Sequence, residues 1–253
     1  MHDFARDWAE LFSLASLVSV LTLTGLEIVL GIDNVIFIAI VAGRLPKALQ
    51  PRARAIGLSL ALIFRIGLLI SITWILGLQK PLLTLGSYGA TGRDLILMGG
   101  GLFLLIKTVG EIADRIRGKD EGHSPKGNKN TLQSVILQIV FIDIVFSFDS
   151  ILTAVSMVNN VLIMIGAVIL AMFMMLGFSG PVSDFINRHP TIKMLALTFL
   201  LMIAMILMLD ALHVEVAHIK MYVYGAMGFA FLVELLNMWE RSSRQKRRDK
   251  SEH

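Results

Sequence analysis

The 253-residue sequence contains no cysteine. This excludes a disulfide scaffold, thiolate zinc and iron–sulfur sites, and cysteine nucleophiles. Charge is scarce as well: 17% of the residues are Asp, Glu, Lys or Arg, against about 25% in an ordinary soluble domain. No nucleophile–base–acid constellation and no nucleotide-binding motif occurs. The chain is therefore read as no enzyme, and any uphill work it does must draw on an ion or proton gradient. Alternating ten-residue segments, the mark of a membrane barrel, are also missing.

Apolar residues are abundant, at 55% of the chain, and the mean hydropathy is +0.73. They gather in seven runs, near residues 11–43, 55–78, 94–112, 132–157, 161–179, 193–212 and 220–239. Each run is long enough to cross a hydrocarbon core about 30 Å thick. In lipid the backbone must satisfy its own polar groups, so each run is expected to be a helix. The N-terminal stretch MHDFARDWAELF carries more acid than base and no small-residue cleavage site, so the first run is read as a retained span. The expected fold class is all-α: a polytopic membrane protein in the lipid bilayer.

Net charge is +4 and the sequence pI about 9.5. The basic residues lie between the apolar runs, which points to a membrane surface and not to nucleic acid. Arg44, Lys47, Arg52 and Arg54 follow span 1; Arg115, Arg117, Lys119, Lys126 and Lys129 follow span 3. Arg188 and Lys193 follow span 5, and the tail RSSRQKRRDK follows span 7. The opposite side holds only Arg6, Lys80, Arg93 and Lys220. The positive-inside rule then puts the N-terminus outside and the C-terminus in the cytoplasm.

An internal repeat gives the chain its chemistry. EIVLGIDNVI (27–36) in span 1 aligns with DIVFSFDSIL (143–152) in span 4. Glu27 matches Asp143, Gly31 matches Ser147, Asp33 matches Asp149, and Asn34 matches Ser150. Three spans separate the copies, so the second crosses the membrane in the opposite sense, as in transporters whose site lies between inverted repeats. The expected architecture is seven transmembrane helices with an inverted 3+3 repeat plus one extra helix. Its boundaries are 1–117 for spans 1–3, 118–130 for a polar cytoplasmic linker, 131–240 for spans 4–7, and 241–253 for a basic tail.

Four lipid-facing carboxylates would cost roughly 10–14 kcal/mol, so these must face the bundle interior. Arg65 and Lys107 lie within spans and can pair with two of them, which leaves charge for a divalent cation or for protons. Glu27, Gly31 and Asn34 share one helical stripe, as do Asp143, Ser147 and Ser150; Asp33 and Asp149 fall about 120° away. Convergence of all four acids requires each helix to loosen near Gly31 and Ser147, and that is the expectation here. Carboxylate, amide and hydroxyl oxygens suit Mg²⁺, Ca²⁺ or Mn²⁺. The metal ligands are read as Glu27, Asp33, Asn34, Asp143, Asp149 and Ser150, with no tightly bound cofactor.

GLEIVLGIDNVIFIAI in span 1, VFSFDSILTAVSM in span 4 and GAMGFAFLVELLN in span 7 resemble the TerC family of integral membrane proteins. The likeness covers about residues 11–240. It implies kinship with the LysE-type exporters, manganese efflux and an association with tellurite resistance. Lys107 and Glu111 resemble the family's span-3 motif, and Asp210 matches a recurring acid of span 6. Arg65, Lys107 and Asp210 are therefore candidate counter-ions or proton relays. The stretch AHIKMYVY departs from the Pro-Lys-Gly-Tyr of many relatives, so no role is carried over to it. Tellurite is an oxyanion and fits an acidic midplane badly.

Other features have plainer readings. The methionines, among them Met172, Met174, Met175, Met202, Met205 and Met208, lack a Cys or a paired His and are read as apolar filler, not a copper site. His213, Glu215 and His218 are read as solvated loop, with a metal-collecting site as the alternative. Glu111 and Glu234 are interfacial acids or entrance guards, and Gly99–Gly101 is a close-packing run. The function expected is export of a divalent cation, Mn²⁺ first, across the cytoplasmic (inner) membrane with protons as coupling ion. Two alternatives fit the same residues: a non-transporting partner that assists insertion or metalation of other proteins, and an exporter of cationic amino acids. A homo-oligomer or a membrane protein partner is compatible with each.

Overall fold

Polar residues punctuate the apolar runs where helices must start. In the computed structural model, which describes residues 13–71, 76, 81–85, 88–118, 131–158, 160–214 and 217–249, Ser13 opens α1 (Leu14–Leu30) by accepting from the Ser16 amide. α2 (Ile32–Gly43) follows at once, and Pro51 stands in the first turn of α3 (Gln50–Ile70). A short antiparallel hairpin, β1 (Pro81–Leu85) and β2 (Tyr88–Thr91), leads into α4 (Gly92–Ile116). Thr91 and Asp94 close a reciprocal capping box there. Thr131 caps α5 (Leu132–Met157), and Asn160 caps α6 (Val161–Arg188). Pro190 begins α7 (Pro190–Ala211), and α8 (Ala217–Asp249) ends the chain. These caps satisfy amides that an apolar first turn leaves without acceptors.

Six helices are long and apolar enough to span a membrane on their own, and the bent pair of α1 with α2 meets the same measure of length and composition when taken as one span, which makes seven. The fold is that of an all-α polytopic membrane protein, with the hairpin as its one departure from helix among the described residues. α8 runs on through the basic stretch expected to be a separate tail, since Arg, Gln and Lys are good helix formers. Beyond Gly118, the expected linker lies outside the described residues.

Packing follows the repeat. α1 and α2 lie on α6, while α3 lies on α5. α4 lies on α7, α3 also on α6, and α2 also on α5. Exchanging spans 1, 2 and 3 for spans 4, 5 and 6 turns the first of these pairings into the second. The other three map onto themselves. α8 stands outside this scheme, against α7, with 6% of its apolar window buried compared with 65% for α5. Its Tyr222, Phe229, Leu236 and Trp239 form an exposed apolar face of the kind that lipid covers.

Glycine sets two of the closest approaches. A Cβ on Gly100 would sit 2.3 Å from Val145 Cγ1 on α5, and one on Gly101 would sit 2.9 Å from Met208 on α7. Gly99 faces open space. Replacing Gly100 by Ala should therefore destabilise the detergent-solubilised protein by about 1–3 kcal/mol through overpacking. Gly99→Ala should be neutral or slightly stabilising. Thermal unfolding of both variants checks this, and equal melting temperatures would refute the packing role of Gly100.

Candidate functional site

The two acidic motifs meet where span 1 faces span 4. Glu27, Asp33, Asn34, Asp143, Ser147 and Ser150 are all buried. Between the motifs stands Arg65 of α3, 2% exposed. Its Nη1 donates to Glu27 Oε2 at 2.7 Å and its Nε donates to Ser147 Oγ at 2.7 Å. Ser147 Oγ donates onward to Asp143 Oδ2 at 3.1 Å, and Asn34 Nδ2 donates to Asp143 Oδ1 at 3.1 Å. One guanidinium and one amide thus join both halves of the repeat into a single chain of hydrogen bonds.

The expected loosening of the helices occurs in one copy only. At Gly31 the axis bends by 43°. A Cβ there would lie 2.7 Å from Met175 Sδ of α6 and 2.8 Å from the Glu27 carbonyl, so only glycine permits this approach. At Ser147 the helix α5 continues unbroken. The hydroxyl's partners are side chains, Arg65 and Asp143, and the backbone ladder is left intact.

The bend does not bring Asp33 into the Arg65 network. Its Oδ2 accepts instead from the Tyr224 hydroxyl of α8, at 3.2 Å. The side chain borders an apolar cavity of about 470 Å³ between span 1, α6, α7 and α8. Asp33 Oδ1 and Asn34 Oδ1 are buried without a hydrogen-bond partner among the described residues. Ser150 Oγ donates to the Ser147 carbonyl at 3.3 Å. The side chain of Asp149 lies outside the described residues. Among the described residues, no group of three His, Asp or Glu side chains is close enough to hold a metal ion. Oxygen donors from Asn and Ser, and from Asp149, would have to complete any such shell.

Of the other candidates, Arg65 pairs with an acid as expected. Lys107 does something else: its ammonium sits 5.8 Å from the centre of the Phe103 ring, a cation–π distance. Asp210 is held at the far end of the bundle between Arg93 (3.0 Å) and Lys220 (3.2 Å). Glu111 pairs with Arg44, whose guanidinium burial holds below its ordinary pKa while nearby Asp114 pulls it back up. His213 binds Asp94 at 2.8 Å, while Glu215 and the side chain of His218 lie outside the described residues. Met172 and Met175 are buried in the core, while Met174 and Met205 are exposed on the bundle surface. Tyr224 was not foreseen as a partner for Asp33. The two residues are 191 positions apart, and no local pattern links them.

A bundle of seven apolar spans with a buried acid–base network at its centre defines an integral membrane protein. The chain matches the integral membrane protein TerC family over residues 12–249 and belongs to that family. It is 45% identical over 221 residues to a UPF0053 protein of Haemophilus influenzae, spanning 87% of this chain and 92% of that protein. It is 44% identical over 217 residues to the UPF0053 inner membrane protein YgdQ of Escherichia coli, spanning 86% of this chain and 90% of that one. The UPF0053 inner membrane protein YoaE of Escherichia coli is 45% identical over 221 residues, which are 87% of this chain but 42% of YoaE. No solved structure matches the chain.

Removing Arg65 should leave Glu27 as an uncompensated buried charge. Arg65→Gln is expected to lower stability by about 3–5 kcal/mol, and adding Glu27→Gln should recover much of the loss. Unfolding of the single and double variants in detergent measures this. If the double variant is no more stable than Arg65→Gln, the Glu27–Arg65 pairing has been misjudged.

Proposed function

We propose that the chain exports a divalent metal cation from the cytoplasm in exchange for protons, with Mn²⁺ the ion that the resemblance to the TerC family implies and that oxygen donors accept. The observation that carries the reading is a mismatch of buried charge. Glu27, Asp33 and Asp143 are 2–3% exposed, and Arg65 is the cation bonded to this group. With Glu27 paired to Arg65, the acids Asp33, Asp143 and Asp149 remain, a surplus of negative charge that a divalent cation and protons can balance. The unpartnered oxygens of Asp33 and Asn34 are the kind of buried acceptor a hard cation satisfies.

In this reading Asp143, Asn34 and Ser150 supply the inner part of the shell, and Asp33 and Asp149 complete it from the adjoining turn. Arg65 is the counter-ion that holds Glu27 in place. Residues 1–117 and 131–240 act as inverted units about this site, joined by the 118–130 linker, with the N-terminus outside and the basic tail in the cytoplasm. The names of the inner membrane relatives favour the cytoplasmic membrane as the location. A proton gradient is the natural energy source for a chain with carboxylates at its centre and no nucleotide motif.

The test is Mn²⁺ flux in proteoliposomes under an imposed pH gradient. Wild-type protein should transport in a gradient-dependent way, and Asp33→Asn and Asp149→Asn should lose transport while still inserting and folding. Wild-type rates in both variants would overturn the site. Competition by lysine or arginine would favour amino-acid export, and no flux from folded wild-type protein would favour a non-transporting partner.

A further inference from the structure

The cavity beside Asp33 is built for something other than a hydrated metal ion. A Mn²⁺, Mg²⁺ or Ca²⁺ ion wants about six or more oxygen ligands. This cavity offers the Asp33 carboxylate and the Tyr224 hydroxyl, and its walls are otherwise apolar. Four of those walls are aromatic: Phe185 of α6, Phe199 of α7, and Tyr224 and Phe231 of α8. One buried carboxylate facing several aromatic rings is the environment that recognises an organic ammonium group. The rings attract the cation through their faces, and the carboxylate supplies the counter-charge.

The volume, about 470 Å³, falls within the range of small-molecule sites. Asp33 is 3% exposed, and its Oδ1 has no hydrogen-bond partner among the described residues, although its Oδ2 accepts from Tyr224. The cavity also has a way in. Val29 and Ile32 line it and are 58% and 50% exposed on the bundle surface, so it opens on the side expected to face lipid. α8, which forms one wall, is the least buried of the spans. A ligand arriving from the bilayer would therefore be apolar over most of its surface and carry one positive charge.

We propose that the cavity between span 1, α6, α7 and α8 is a binding site for a lipophilic organic cation, with Asp33 as counter-ion and Phe185, Phe199, Tyr224 and Phe231 as aromatic walls. The site is entered from the lipid side and is separate from the Arg65 network. It does not rest on metal export. Where the chain does transport metal, an occupant here would engage Asp33 and block that carboxylate.

The experiment is equilibrium binding to the full chain in lipid nanodiscs, without metal, using radiolabelled benzyltrimethylammonium and its neutral carbon isostere, neopentylbenzene. Saturable binding of the cation to wild type is expected, weakened at least tenfold by Asp33→Asn. Gly228 gives a second variant, because it lines the cavity and a Cβ added there meets nothing within 4 Å. Gly228→Phe should fill the space and abolish binding without lowering the melting temperature. Equal affinity of wild type and Asp33→Asn for the cation would overturn the proposal, as would a neutral isostere that binds as tightly as the cation. Absence of saturable binding to folded wild type would overturn it too. Because the readout is binding without metal, failure of the flux assay leaves this result untouched, and the reverse holds as well.

Discussion

A guanidinium at 2% exposure in the middle of an apolar bundle has to be matched by an acid, or the bundle does not form. Arg65 meets that condition by bridging Glu27 of span 1 and Ser147 of span 4, and Ser147 passes the contact to Asp143. Much else follows from this. Span 2 must lie between the two motif helices, which is why α3 contacts both α2 and α5. Spans 1 and 4 must approach closely enough for Asn34 to reach Asp143. Small residues then become necessary at the crossings, and Gly31, Gly57 and Gly100 each stand where a Cβ would strike Met175, Ile139 or Val145. The polar centre and the glycine-lined crossings are two sides of one constraint.

That constraint also explains why a transporter-like arrangement can be both stable and poised. A fully paired set of charges would be an inert strut. Here the network closes around Glu27, while one oxygen of Asn34 and one of the neighbouring Asp33 have no hydrogen-bond partner among the described residues. Buried acceptors without donors are costly, on the order of 1–3 kcal/mol each. Such a cost persists where a ligand relieves it. Asp33 stays off the stripe that holds Glu27 and Asn34 despite the bend at Gly31, and its carboxylate meets Tyr224 instead. Two neighbouring residues thereby serve two different surfaces.

The membrane fold was legible in the sequence because its signal is strong and local. Seven apolar runs mark the spans, closely for α4, α5 and α7, while α6 and α8 run on about nine or ten residues past the apolar stretch because their polar ends remain helical. The burial of the two acidic motifs was legible too, since lipid-facing carboxylates are too costly at that depth. Their convergence was only half legible. Periodicity placed Asp33 about 120° from Glu27, and the choice between convergence and divergence depended on whether the helices bend. At Gly31 the missing side chain leaves room for Met175 of another span, and at Ser147 the helix runs on while the hydroxyl bonds Arg65. Both contacts are long-range. The same holds for Tyr224 and Asp33, for Lys107, which lies over Phe103, and for Asp210, which is clasped by Arg93 and Lys220. A sequence shows which charges must find partners but not which partners they find.

Symmetry sharpens the difference between the copies. If spans 1–3 and 4–6 were equivalent, Gly31 and Ser147 would have matching surroundings. They do not: Met175 packs on Gly31 and Arg65 bonds Ser147. A further asymmetry comes from α8, which has no counterpart in the other half. It adds Tyr224 to the Asp33 side and helps to enclose the cavity there, while it packs mainly against α7 alone. A helix held by so little burial can move at a smaller cost than any of the six others. One wall of the cavity at Asp33 is thus the least buried span, whereas Glu27 bonds the buried Arg65 directly and Asp143 does so through Ser147. The extra helix turns a symmetric bundle into one with a bonded acid pair on one side and, on the other, a buried third acid that borders a cavity.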